Sequence, residues 1–158
     1  MKAGLLAQAR RLTRHERRFL VAAWLFLVGA PLALAVMPFR RLQDWAARET
    51  AGTRLLGTPT PERAAALVEA AARHHFVPTT CLARALVLCR LLRRRGHAAR
   101  LVVGGARAQG SFEAHAWVAC GGLALTAGGP VDRFTTLLGD SHHLAARAQS
   151  PVAHEDGA

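Results

Sequence analysis

The residues CLARALVLCRLLRRRG (81–96), followed by RLVVGG (100–105) and FEAHAWVAC (112–120), decide how this chain folds. In the first stretch Leu82, Ala85, Leu86, Cys89 and Leu92 recur at the spacing of one apolar helix face. Thr79 and Thr80 offer a cap in front of it, and Arg93, Arg94 and Arg95 sit in the last turn, where cations favour the macrodipole. Gly96 suits the left-handed exit from the helix. After Gly96 the period changes. Residues 100–105 read as a short buried strand, 106–111 as a loop and 112–120 as a second strand. Gly121 and Gly122 mark a hairpin turn, and LALT (123–126) is its return strand. VDRFTTLL (131–138) reads as a further strand or a short helix. The expected fold class is α+β, with a cysteine at a helix N-terminus packed on a small antiparallel sheet that carries a histidine.

Upstream, Thr60 can cap, Pro61 suits the first helical position, and PERAAALVEAAARHH predicts a helix to about His75, which Pro78 ends. Residues 40–57 read as an Arg-rich amphipathic helix closed at Gly57. Residues 19–39, FLVAAWLFLVGAPLALAVMPF, carry no charge and reach the roughly 20 residues of a membrane span. Arg14, Arg17 and Arg18 precede that run and Arg40 and Arg41 follow it, so the flanking charges set no orientation. Pro31 interrupts it, and a buried or interfacial hairpin of two short helices broken there is favoured over a span. Membrane association through 19–39 stays open. The organisation expected is a basic and hydrophobic helical segment over 1–57, a catalytic core over 58–140 and a flexible tail over 141–158.

The net charge is +11, almost all from Arg, since the only Lys is Lys2. With no Tyr and no Asn, this is the composition of a high-GC bacterial coding sequence. Aromatic residues do not interleave with the Arg runs, so a nucleic-acid partner is not expected. The three cysteines, Cys81, Cys89 and Cys120, form no CxxC pair and leave an odd count, the pattern of free thiols in a reducing compartment.

Cys81 and His115 are the residues whose placement suggests chemistry. A thiol attacks a carbonyl as its thiolate, and a helix N-terminus favours that form. The first amides of the helix can also bind the oxyanion that attack creates. Glu113, His115 and Trp117 share one face of their strand, opposite Phe112, Ala114, Ala116 and Val118. A histidine there can take the thiol proton and return it to the leaving amine. The plainer alternatives are a small buried thiol for Cys81 and a hydrogen-bonded strand histidine for His115. Cys89, in mid-helix, reads as core, and Cys120 has no evident base. His74, His75, His97, His142 and His143 read as surface residues without metal-ligand spacing, and no cofactor is expected.

TCLARALVLCRLLRRRGHAARLVVG (80–104), with FEAHAWV (112–118), resembles the transglutaminase-like B protein of lasso-peptide biosynthesis. The resemblance covers about residues 60–138, is looser over 14–42, and lies in the combination of the two motifs. It implies a papain/transglutaminase-like core and a leader peptidase with a Cys-His-Asp triad, Cys81 being the nucleophile and His115 the base. Larger members begin with a winged-helix domain that grips the leader; none fits before residue 60 here, so the resemblance is to the stand-alone form. That form implies as partners the leader-core precursor peptide, a separate leader-binding winged-helix protein and an asparagine-synthetase-like lasso cyclase, in the cytoplasm. Two positions depart from the family pattern. Ala119 stands where members usually have Glu, and the place of the third catalytic residue reads Leu125, Thr126, Ala127. Asp132 is the nearest acid; either it reaches the imidazole through a shifted loop or a backbone carbonyl orients the ring. Three functions follow: leader proteolysis, amide-forming acyl transfer on the same scaffold, or a non-catalytic scaffold for the cyclase or the membrane.

Overall fold

The computed structural model describes residues 12–48, 58–76, 78–108, 111–125, 131 and 133–138. Four helices precede a four-stranded sheet: α1 (Arg14–Val36), α2 (Phe39–Ala47), α3 (Pro61–Arg73), α4 (Cys81–Arg93), β1 (Ala99–Ala108), β2 (Ser111–Cys120), β3 (Leu123–Leu125) and β4 (Thr135–Leu138). The architecture is α+β, and the sheet is antiparallel throughout in the order β3-β2-β1-β4.

The local signals explain the boundaries. Thr60 Oγ1 accepts from Arg63 N at 3.3 Å with Pro61 just inside α3, and Thr80 Oγ1 accepts from Ala83 N at 3.2 Å to start α4. Gly96 leaves α4 with φ 76°, and Gly121 and Gly122 turn β2 into β3 with φ 59° and 79°, the paired positive angles that a tight hairpin needs. Thr13 and Glu16 form a reciprocal capping box at the start of α1.

Four expectations change, one of them being His97, which reads as a surface residue but is buried after α4. The 19–39 run is not a hairpin broken at Pro31: α1 continues through Pro31 to Val36. A proline removes one intrahelical hydrogen bond, but the helix is already long where it meets Pro31, having started at Arg14, and elongation costs far less than nucleation. The loop expected over 106–111 is mostly strand, because β1 and β2 pair from Ala99↔Cys120 to Ala108↔Ser111. The ambiguous 131–138 segment forms an edge strand at Thr135–Leu138, paired with β1 through a register shift. The continuation of α2 toward Gly57, Ala127, Asp132 and the 141–158 tail lie outside the described residues.

The core lies between the helices and one face of the sheet. Phe19, Ala23 and Leu27 of α1, Leu42 and Ala46 of α2, Ala64, Leu67 and Val68 of α3, most of α4, and Ala116, Val118 and Cys120 of β2 form one buried cluster. α1 packs against α3 and α4, and α4 against both long strands. Cys89 sits inside this cluster, its thiol near the carbonyls of Ala46 (3.8 Å) and Ala99 (3.7 Å).

Candidate active site

Cys81 is the first residue of α4 and is half-buried at the margin of the main cluster. The cap uses the amide of Ala83, and Arg84 N bonds Thr80 O at 3.1 Å. The amides of Cys81 and Leu82 therefore lie ahead of the first intrahelical bond. Arg84, one turn on, reaches back across the helix start. Its Nε donates to Thr79 Oγ1 at 3.0 Å, its Nη2 to Thr79 O at 3.0 Å, and its Nη1 to both carboxylate oxygens of Glu69 at 3.3 Å. One guanidinium thus ties the segment before Cys81 to both α3 and α4. Sequence reasoning did not single out Arg84, although it lies inside the CLARAL stretch (81–86) that carries the resemblance.

His115 is half-buried in β2, opposite Gly104 of β1. The strand pleat gives it the face expected, shared with Glu113 and Trp117, while Ala116 and Val118 enter the main cluster from the other. Its ring stacks on Phe134 (centroids 5.1 Å apart, 24° between planes) and lies 6.3 Å from that of Trp117. Phe134 is held in turn by the guanidinium of Arg133, 4.8 Å from its centroid, and Arg133 Nη2 bonds Glu113 Oε2 at 3.1 Å. Neither Phe134 nor Arg133 was visible as part of a site in the sequence, because the 131–138 stretch had no decisive period.

Burial lowers the pKa of His115 below the ordinary histidine value. Nearby Arg133 lowers it further, and Glu113 acts against both. The lowered pKa favours the neutral ring, the form a base requires. Its Nε2 is buried without a hydrogen-bond partner, as is Nε1 of Trp117, so two polar ring atoms stand unpaired in one aromatic nest.

The two halves share one height of the fold. The short Arg94–Ala98 connection makes α4 antiparallel to β1 and so parallel to β2. The Cys89 thiol marks the level of Ala99, which pairs with Cys120. Climbing α4 from Cys89 to Cys81 rises about 12 Å; at about 3.3 Å per residue, β2 covers that height by roughly Ala116. The structure thus sets Cys81 level with Ala116 on the α4 side of the sheet, and His115 on the opposite face of β2. It does not join them by a hydrogen bond.

The remaining thiols behave as packing groups. Burial pushes the Cys89 thiol up to about 11 despite nearby Arg93, and Cys120 is buried at the end of β2. Among the described residues, no group of three or more His, Cys, Asp or Glu is gathered to hold a metal. Comparison with family models matches residues 24–139 to the transglutaminase-like superfamily core. No curated protein and no solved structure matches the chain.

Proposed function

The chain belongs to the transglutaminase-like superfamily, and from that premise we propose that it is a cysteine peptidase removing the leader from a ribosomally made lasso-peptide precursor. Superfamily membership supports cysteine–histidine acyl chemistry, and the 80–118 motifs support the finer assignment. The observation that carries the reading is Cys81, half-buried at the capped start of α4, with the amides of Cys81 and Leu82 ahead of the first intrahelical bond.

In this mechanism His115 takes the Cys81 proton. The thiolate attacks the scissile carbonyl, and the amides of Cys81 and Leu82 receive the oxyanion. The protonated imidazole gives its proton to the leaving amine, and water then hydrolyses the Cys81 thioester. For the first step the imidazole has to reach the thiol from the opposite face of β2, which requires a rearrangement of the strand beyond the tightening of a long hydrogen bond. A separate leader-binding protein delivers the precursor and an asparagine-synthetase-like cyclase takes the core, all in the cytoplasm, where the precursor is synthesised.

The test mixes the purified chain, a precursor and the leader-binding protein, and reads products by mass spectrometry beside Cys81→Ala. Leader and core that differ from the precursor by one water, absent with Cys81→Ala, support peptidase action. An amine adduct points to acyl transfer on the same scaffold. Intact precursor in every sample, with the protein folded and the partner bound, refutes catalysis and leaves the scaffold reading. The placement of His115 on the face of β2 away from α4 favours that last alternative.

A further inference from the structure

By length and composition, α1 is long and apolar enough to cross a membrane, being 23 residues. Its packing assigns it a different place. Phe19, Ala23 and Leu27 are fully buried in the main core, Arg95 stacks on the Phe19 ring at 4.5 Å from its centroid, and Glu16 pairs with Arg63 of α3. A spanning helix would leave all of these partners and open the core that holds α4. One side of α1 is therefore committed to the domain.

The other side is exposed and apolar. Val21, Leu25, Val28, Leu32 and Val36 all face solvent, with Leu25 60% and Leu32 67% exposed. Along a helix of about 3.6 residues per turn they fall within roughly 60° of one line, opposite the buried residues. Traced toward the N-terminus, the same line runs through exposed Arg14, Arg17 and Arg18; beyond its other end stand exposed Arg40 and Arg41 of α2. Trp24 borders the line and packs on Phe76 of the α3–α4 connection, which is 72% exposed. An apolar cleft of about 260 Å³ between α1 and α2 takes Leu25 as one wall and Trp45 as another.

We propose that this face of α1 is a docking surface for an anionic lipid bilayer, on which the helix lies in the plane of the headgroups with its outer stripe among the acyl chains. The charge pattern selects this occupant over a second helix. Helix-to-helix pairing takes register and partner choice from charges that flank an apolar seam. Residues 19–39 contain none. The cations are instead gathered at the two ends, where they meet phosphate headgroups while the uncharged middle meets acyl chains. Aromatic side chains beside such a stripe suit the boundary between the two. This inference does not depend on the peptidase reading.

The experiment uses the full chain with vesicles of phosphatidylcholine alone, and with phosphatidylglycerol as one lipid in three, read by co-sedimentation and by the emission shift of Trp24 and Trp45. The comparison variants are Leu25→Glu/Leu32→Glu, which alters only exposed positions, and Arg14→Gln/Arg17→Gln/Arg18→Gln. Circular dichroism and gel filtration accompany each. The expected result is binding to the anionic vesicles, weakened at least about tenfold by the Glu pair and brought down toward the level on neutral vesicles by the Gln triple. Absence of binding to anionic vesicles overturns the proposal. So does a dimer in solution that the Glu pair dissociates without any vesicle binding, since the stripe then serves a second copy. Binding that a folded Glu pair leaves unchanged overturns it as well.

Discussion

Gly104→Ala should destabilise the protein, whereas Gly105→Ala, one residue on, should not. A Cβ built at Gly104 falls 2.7 and 2.8 Å from Cη2 and Cζ3 of Trp117 and 3.0 Å from Cβ of Phe134. Carbon atoms rest at about 3.5–4.0 Å, so the indole must retreat by roughly 0.8 Å. It has nowhere to go. Trp117 is 2% exposed, with the His115 and Phe134 ring centroids 6.3 and 6.4 Å from its own. Overpacking of a closed site costs about 1–3 kcal/mol, and the loss of glycine's freedom in the unfolded chain returns about 0.4–1 kcal/mol. Taking the middle of each range, the net is a loss of about 1.3 kcal/mol, or roughly 3–5 °C of melting temperature at this chain length. At Gly105 the nearest atoms are as close, with Phe112 Cζ at 2.5 Å and Leu137 Cδ1 at 3.0 Å. Those side chains are 65% and 59% exposed, however, and swing into solvent. Gly105→Ala should fall within about 0.5 kcal/mol of the parent. Thermal unfolding by far-UV circular dichroism reads stability, and the near-UV band reports whether Trp117 has moved. Equal melting temperatures for the two variants would refute the reasoning, because it assigns the whole difference to the mobility of what each methyl meets.

Iodoacetamide under native conditions should alkylate Cys81 first, with Cys89 and Cys120 reacting only on unfolding; peptide mapping checks this, and early labelling of Cys89 would contradict its burial in the core. The His115 ring should titrate below the ordinary histidine value in the folded protein, and Arg133→Ala should raise it, as followed by proton NMR of the imidazole. Because the folded pKa is the lower one, the unfolded chain binds the extra proton first. The His115 contribution to stability is therefore complete above the unfolded value near 6.5 and is lost as pH falls from there through the folded pKa; a denaturation midpoint that rises on acidification across that window, and does so only when His115 is present, would contradict it. Arg84→Ala should lower the peptidase rate at least about tenfold while stability falls by only about 1–2 kcal/mol, with Arg84→Lys restoring little, since one ammonium cannot reproduce the fork to Thr79 and Glu69. Loss of stability with unaltered turnover would make Arg84 structural only.

Most of the fold was legible because local chemistry and tertiary packing agree in it. Thr60-Pro61, Thr80, Gly96 and Gly121-Gly122 each mark a boundary that needs little from the rest of the molecule, and the structure uses each one as the sequence implies. The site was legible only in part. Cys81 and His115 stood out as candidates from a helix start and a strand face, but the pleat alone did not tell which strand face α4 covers, and it covers the one away from His115. The groups around them arrive through long-range contacts that no period records. Arg84 reaches Glu69 on another helix, and Phe134 comes to His115 from a segment whose pattern favoured neither strand nor helix.

The misreading of Pro31 shows what a residue-level rule leaves out. A proline in mid-helix is costly when nothing else holds the helix, and on that ground a break was expected. Here Phe19, Ala23 and Leu27 anchor α1 in the core before Pro31, and the helix runs on past it with little of its far end buried. In water a continued stretch so exposed and so apolar, from Leu32 to Val36, has little packing to hold it. Against a bilayer the same stretch gains burial without a partner chain, and a helix has the further advantage of satisfying its own backbone hydrogen bonds there. The persistence of α1 beyond the proline and the exposed line along its outer side thus have one explanation in common. Substituting Pro31 by Ala tests it: the variant should strengthen the helix in solution and leave vesicle binding within about threefold, whereas the Glu pair on the outer line should leave the helix intact and remove the binding.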